Sequence, residues 1–282
     1  MLRRKVFLQS PRVAKKKRNR RLVILAIVVS VIAVILVGVY FLFRAPFLII
    51  KDVSVLGTEV LDPLAVSQKT KENILGSYYF FIPKNSIIFY PKKVIEENLR
   101  ISFPRIDTLD VNINNNILNI VIKEKSSFAL WCGANDCYFI DSTGFIFAKA
   151  PEFSGNVYKV FTGLIEEDPV NGALSKQYLS SEMIASLKMV YDALEILGVN
   201  VSKINVLSLK ETKLVSDNGV VFIVDITKIS NETIENIQSV LFSDEFKNKM
   251  PALNGIDYID LRFGGKIFFK LKGGVSSTES LL

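Results

Sequence analysis

Apolar positions are spread very unevenly along this chain of 282 residues. Leu22–Phe43 reads LVILAIVVSVIAVILVGVYFLF, carries no charge, and is closed by Arg21 and Arg44. Seventeen of its 22 residues are Leu, Ile, Val or Phe. As a helix the run is about 33 Å long, enough to cross a hydrocarbon core of ~30 Å. Its side chains favour insertion by about 5–10 kcal/mol. A core helix would keep a polar face over six turns. A cleavable leader has a shorter apolar run ending in small residues, whereas this one ends Tyr40-Phe41-Leu42-Phe43-Arg44. The pattern predicts an uncleaved membrane-spanning helix over 22–43.

Beyond Arg44 the period changes. Phe47–Leu56 is rich in Ile and Val and meets Gly57, which predicts a strand with Val53 and Val55 on one face. Asp62-Pro63 reads as an N-cap followed by a first-turn proline, opening a helix that runs to about Leu75 and stops at Gly76. A second helix opens at Tyr90-Pro91, places Val94, Ile95 and Leu99 at helical spacing, and ends at Phe103-Pro104. Ile106–Ile113 and Ile117–Ile122 alternate about the turn cluster Asn114-Asn115-Asn116. The predicted order over 44–125 is β-α-α-β-β.

Residues 126–272 read as a β-rich domain with a mostly antiparallel sheet and two covering helices. Strands are predicted at Phe128–Cys132, Tyr138–Ile140, Phe145–Phe147, Val157–Phe161, Ile204–Leu209, Lys213–Ser216, Val220–Ile226, Ile256–Leu261 and Lys266–Leu271. Asp217-Asn218-Gly219 is a strong hairpin signal. The helices are an amphipathic one from Leu179 to Leu197, stopped by Gly198, and another from about Asn231. The last ten residues, 273–282, have the composition of a frayed end. The fold class is α+β.

Charge orients this layout. The segment 1–21 holds ten Lys and Arg and no acid, so it is expected to stay cytoplasmic, with everything after Arg44 outside. The other 25 basic residues stand against 28 acidic ones. The basic character therefore belongs to the tail, where it suits anionic lipid headgroups, and a nucleic-acid partner is not expected.

The chain has no histidine, which excludes a Ser-His-Asp or Cys-His nucleophile and the usual His-containing metal sites. It has no S-x-x-K, G-x-S-x-G or phosphate loop; Gly264-Gly265-Lys266 lacks the spacing. No cofactor, metal or small-molecule substrate is expected. Cys132 and Cys137 flank a tight hairpin and form a candidate disulfide outside the cytoplasm; two reduced thiols are the alternative. Asp141 in Asp141-Ser142-Thr143-Gly144 reads as a turn-capping residue.

The order β-α-α-β-β directly after one anchor resembles a POTRA domain, and the whole chain resembles the FtsQ/DivIB family of bacterial cell-division proteins. The resemblance is carried by Val53-Ser54-Val55-Leu56-Gly57, Gly76 before an aromatic run, Phe103-Pro104-Arg105-Ile106, Ile117–Glu124, the Asp141-x-x-Gly144 hairpin, and Tyr258–Phe269 with its Asp260-Leu261-Arg262-Phe263 run. Tyr78 and Ser127 stand where the family usually has Asn and Pro. The resemblance implies a non-enzymatic scaffold at the division septum of the cell membrane, binding FtsB- and FtsL-like single-span proteins through the edge strand of its second domain. Phe263, Lys266, Ile267, Phe268, Phe269 and Lys270 would line that edge, with Lys266 and Lys270 guarding it against self-pairing. Two rival readings are a POTRA-bearing envelope translocation or assembly factor, and a membrane-tethered hydrolase using carboxylates such as Asp141, Asp225 and Asp260.

Overall fold

The structure is a computed structural model describing residues 11–79, 82–155, 157–242, 253, 255–263 and 266–273, with the backbone alone for 11–18, 240 and 242. The first half of the basic tail, the Gly264-Gly265 turn and the C-terminal segment 274–282 lie outside the described residues. The chain forms two compact units, Met1–Ser102 with Thr108–Lys123, and Phe103–Asp107 with Glu124–Leu282.

The first unit begins with α1 (Pro11–Phe43). Its segment Asn19–Phe43 is long and apolar enough to cross a membrane, the one such helix among the described residues. Its large aliphatic side chains from Leu22 to Leu42 are exposed, as a lipid-facing helix requires. A short 3-10 turn, Pro46–Leu48, occupies the start of the expected strand. The strand itself, β1, is Asp52–Leu56; Ala45-Pro46 fixes a turn before it, and the Lys51 N–H donates to the carbonyl of the turn residue Asn116.

Helix α2 (Pro63–Asn73) starts as its cap dictates: the Asp62 carboxylate accepts the Leu64 N–H at 2.9 Å. A two-residue hairpin, β2 (Ser77–Tyr78) and β3 (Ile82–Pro83), precedes α3 (Lys92–Ser102). Helix α3 buries Ile95 and Leu99 and leaves Val94 exposed. Strands β4 (Ile106–Asn114) and β5 (Ile117–Glu124) meet at Asn115 and Asn116, both left-handed with φ of 51° and 65°, a conformation that asparagine tolerates best among residues with a Cβ. The sheet order is β1-β5-β4, with β1 parallel to β5 and Val53 opposite Leu118. Val53, Val111, Leu118, Ile120 and Ile122 are buried, the period-2 set expected of strands with one covered face. Gly57 has φ +81°, and a Cβ there would stand 2.1 Å from the Ile122 carbonyl oxygen, so this crossing admits only glycine.

The second unit contains β6 (Ala129–Cys132), β7 (Cys137–Ile140), β8 (Ile146–Lys149), β9 (Val160–Gly163), α4 (Ser181–Ile196), β10 (Val201–Ser208), β11 (Glu211–Ser216), β12 (Val221–Val224), α5 (Asn231–Phe242), β13 (Ile256–Asp260) and β14 (Phe268–Leu271). They make one nine-stranded sheet in the order β14-β13-β12-β11-β10-β9-β6-β7-β8. Most neighbours are antiparallel, while β9 runs parallel to both β6 and β10, and β12 parallel to β13. Helices α4 and α5 contribute Ile184, Leu187, Val190, Leu194 and Ile237 to the core, where they meet Trp131, Phe161, Phe222 and Ile259. Ser180 caps α4 by accepting the Met183 N–H. The expected strand Val157–Phe161 begins later, at Val160.

Candidate functional site

Strand β14 ends the order of strands in the large sheet. Alternation divides its side chains. Ile267 and Phe269 are buried, Phe269 to 6% exposure, and belong to the core. Phe268 and Lys270 fall on the opposite face and are half-buried. Lys266 and Phe263 are exposed, and the Phe263 ring stands edge-on to Phe268 with centroids 5.2 Å apart. The six edge residues singled out from sequence thus serve two roles. Ile267 and Phe269 hold the strand down, and Phe263, Lys266, Phe268 and Lys270 form its outer surface. Ile267 and Phe269 do not offer their side chains to a partner, because the pleat turns both into the core.

The backbone direction follows from the register. Ile256 faces Leu271, and the Lys272 N–H donates to the Gly255 carbonyl. Bonds flanking a pair in this way identify it as the non-hydrogen-bonded type, whose own N–H and C=O groups turn away from the neighbouring strand. The register shift between Ile256 and Tyr258 places the extra residue on β13, so alternation along β14 is uninterrupted. Phe268 and Lys270 therefore bond inward to β13, and Leu271 turns its N–H and C=O outward. Leu271 was not among the residues singled out from sequence, which carries no signal for which parity of a strand faces outward. Around the strand, Lys270 lies 3.4 Å from Asp257. Arg262 grips Asp260 with Nε and a terminal nitrogen at 2.6–3.1 Å. That bond to Asp260 holds the Arg262 guanidinium above its ordinary pKa.

The opposite end of the sheet is tied differently. The Ile146 N–H donates to the Lys176 carbonyl, and Ser175 N–H to the Ile146 carbonyl, so the segment 175–178 straps β8. Beneath the strap, Asp141 Oδ1 accepts from Thr143 N–H, Thr143 Oγ1 and Phe145 N–H, and Oδ2 meets Lys125 Nζ at 2.6 Å. Burial pushes the Asp141 carboxyl up, but Lys125 and the Thr143 and Phe145 bonds outweigh it and leave it below its ordinary range. Cys132 and Cys137 face each other at the end of the β6–β7 pair and are bonded as a disulfide.

The three carboxylates considered for hydrolysis are all engaged. Asp141 closes its turn as described, Asp260 holds Arg262, and Asp225 caps the turn Ile226–Lys228 through Thr227 N–H and Oγ1. Burial raises the Asp225 carboxyl, yet the Thr227 bonds and the nearby Lys228 and Lys210 hold it below its ordinary value. Among the described residues no cluster of three acidic or sulfur-bearing side chains has the arrangement of a metal site. The arrangement is suited to holding strands in place and to adding another at β14. Neither a scan against models of known protein families nor a search of curated proteins finds a match to the chain.

Proposed function

We propose that the chain is a bitopic, non-enzymatic scaffold of the FtsQ/DivIB type, anchored with its N-terminus in the cytoplasm and acting at the bacterial division septum. In this reading the first unit is a POTRA domain, and the β14 edge takes up a strand from an FtsB-like single-span protein, itself joined to an FtsL-like one. The role is to recruit and regulate septal peptidoglycan synthesis. The observation that carries the reading is the order of parts. One bilayer-length helix leads into a β-α-α-β-β sheet ordered β1-β5-β4, then into a large sheet ending in a strand with outward backbone groups at Leu271. Strand addition satisfies such groups directly, and alternate side chains supply specificity. Lys266 and Lys270 are placed to discourage pairing between two copies of the chain.

The test is affinity purification of the tagged full chain from detergent-solubilised membranes of its own host, together with its depletion from growing cells. The expected outcome is recovery of small single-span coiled-coil proteins, and filamentous cells without septa on depletion. Recovery of an outer-membrane barrel or a secretion component, with division unaffected, would replace the division reading with the translocation one.

A further inference from the structure

The exit of α1 is pinned on two sides. On one, the Ile87 N–H donates to the Leu48 carbonyl and the Ile50 N–H to the Asn85 carbonyl. On the other, the Asn116 amide donates to the Phe47 and Ile49 carbonyls. The loop between β3 and α3 therefore stays beside the helix end. Phe43, the last residue of α1, packs edge-to-face on Phe89 of that loop with ring centroids 5.4 Å apart.

This region exposes large apolar and aromatic side chains. Ile88 is 58% exposed, Phe47 and Phe89 are also exposed, and Tyr79, in the adjoining hairpin, is 88% exposed. Water is a poor environment for such a group, and clustered exposed apolar residues mark a contact surface. What covers them follows from depth. The uncharged run Leu22–Phe43 measures about 33 Å, close to a hydrocarbon core of ~30 Å, so Phe43 sits at its boundary. Phe89 touches Phe43 and shares that depth. Aromatic rings are favoured at this level, where one part is apolar and the surroundings are partly wet. Lys84, whose ammonium lies 5.6 Å from the centre of the Tyr78 ring, adds a cation suited to lipid phosphate.

We infer that the loop carrying Ile88 and Phe89, with Phe47 and the Tyr79 hairpin, is seated in the interfacial layer of the same bilayer that α1 crosses. This second contact fixes the orientation of the first unit against the membrane. It rests on α1 being a membrane-spanning helix, and it is independent of any role in division.

The experiment uses the full chain reconstituted alone into phosphatidylcholine vesicles, with tryptophan placed at Ile88 (Ile88→Trp), at Tyr79 (Tyr79→Trp) or at the helix centre (Ile32→Trp). The native Trp131 is buried in the second unit, and the unaltered chain supplies its background. Lipids brominated near the headgroup end of the acyl chain should quench Ile88→Trp and Tyr79→Trp more than lipids brominated at the chain end. Ile32→Trp should show the reverse order. Unquenched Ile88→Trp and Tyr79→Trp beside quenched Ile32→Trp would overturn the inference, leaving the exposed side chains to a protein partner. Unquenched Ile32→Trp would remove the spanning helix itself, and the inference with it.

Discussion

The two ends of the nine-stranded sheet solve the same problem in opposite ways. Each terminal strand has a row of backbone groups facing away from its neighbour. At β8 the chain supplies its own cover, through the bonds between Ile146 and residues 175–176. The Lys125–Asp141 pair and the turn at Gly144 lie directly below. Gly144 has φ +82°, and a Cβ there would meet the Leu179 carbonyl oxygen at 2.3 Å. At β14 the strand is terminal, the core holds it by Ile267 and Phe269, and lysines flank it. A sheet that needed only to be stable would close both ends alike. The contrast is what supports β14 as the proposed partner edge.

The comparison can be broken from either end. The largest effect is expected for Phe269→Ala, which empties a core site at the β14 end and should cost about 3–4 kcal/mol by urea unfolding. The neighbouring Phe268→Ala, on the outer face, should cost under about 1 kcal/mol. Equal costs would show that the two faces of β14 are not distinct. At the other end Asp141→Ala takes from half-buried Lys125 its partner at 2.6 Å and leaves it Asp107 at 4.0 Å, and a loss of about 3 kcal/mol is expected.

Acid should reproduce part of that loss. The folded Asp141 carboxyl lies below its unfolded value. Its contribution is therefore complete above about pH 5 and is lost as pH falls through the folded value. Asp141→Asn should flatten the acid limb of a stability-versus-pH curve, and an unchanged limb would assign the acid sensitivity elsewhere. Reduction of Cys132–Cys137 closes off a smaller effect, at most about 2 kcal/mol for so short a loop, read as a shift in the unfolding midpoint. Lys270→Ala should be nearly silent in stability, within about 0.5 kcal/mol. Its effect should appear as self-association of the chain by light scattering.

Much of the fold was legible because its signals are local. Asp62-Pro63, the asparagine turn at 114–116 and the alternation of Leu118, Ile120 and Ile122 each dictate a short piece of backbone, and each piece forms where expected. The insertion of β9 between β6 and β10, parallel to both, was not legible, since strand neighbours are set by contacts across the whole unit. The hairpin at Ser77–Pro83 was also missed, because its aromatic sequence gives no turn signal. At the candidate edge, the sequence reading grouped Ile267 and Phe269 with the outer residues, whereas both are buried. A four-residue strand between turns offers too short a pattern to fix which parity is buried.

The central claim is that a partner strand bonds to the outward backbone of β14. The most direct test removes an outward donor that such pairing would use. In Leu271→Pro the outward N–H is removed at a position whose bond to β13 is not needed, and Lys266→Glu/Lys270→Glu serves as a second variant that leaves the backbone intact. Purified beside the unaltered full chain, a Leu271→Pro protein with unchanged circular dichroism should lose the single-span partners that the unaltered chain retains. Full retention of those partners by folded Leu271→Pro would show that they bind elsewhere and would contradict the account.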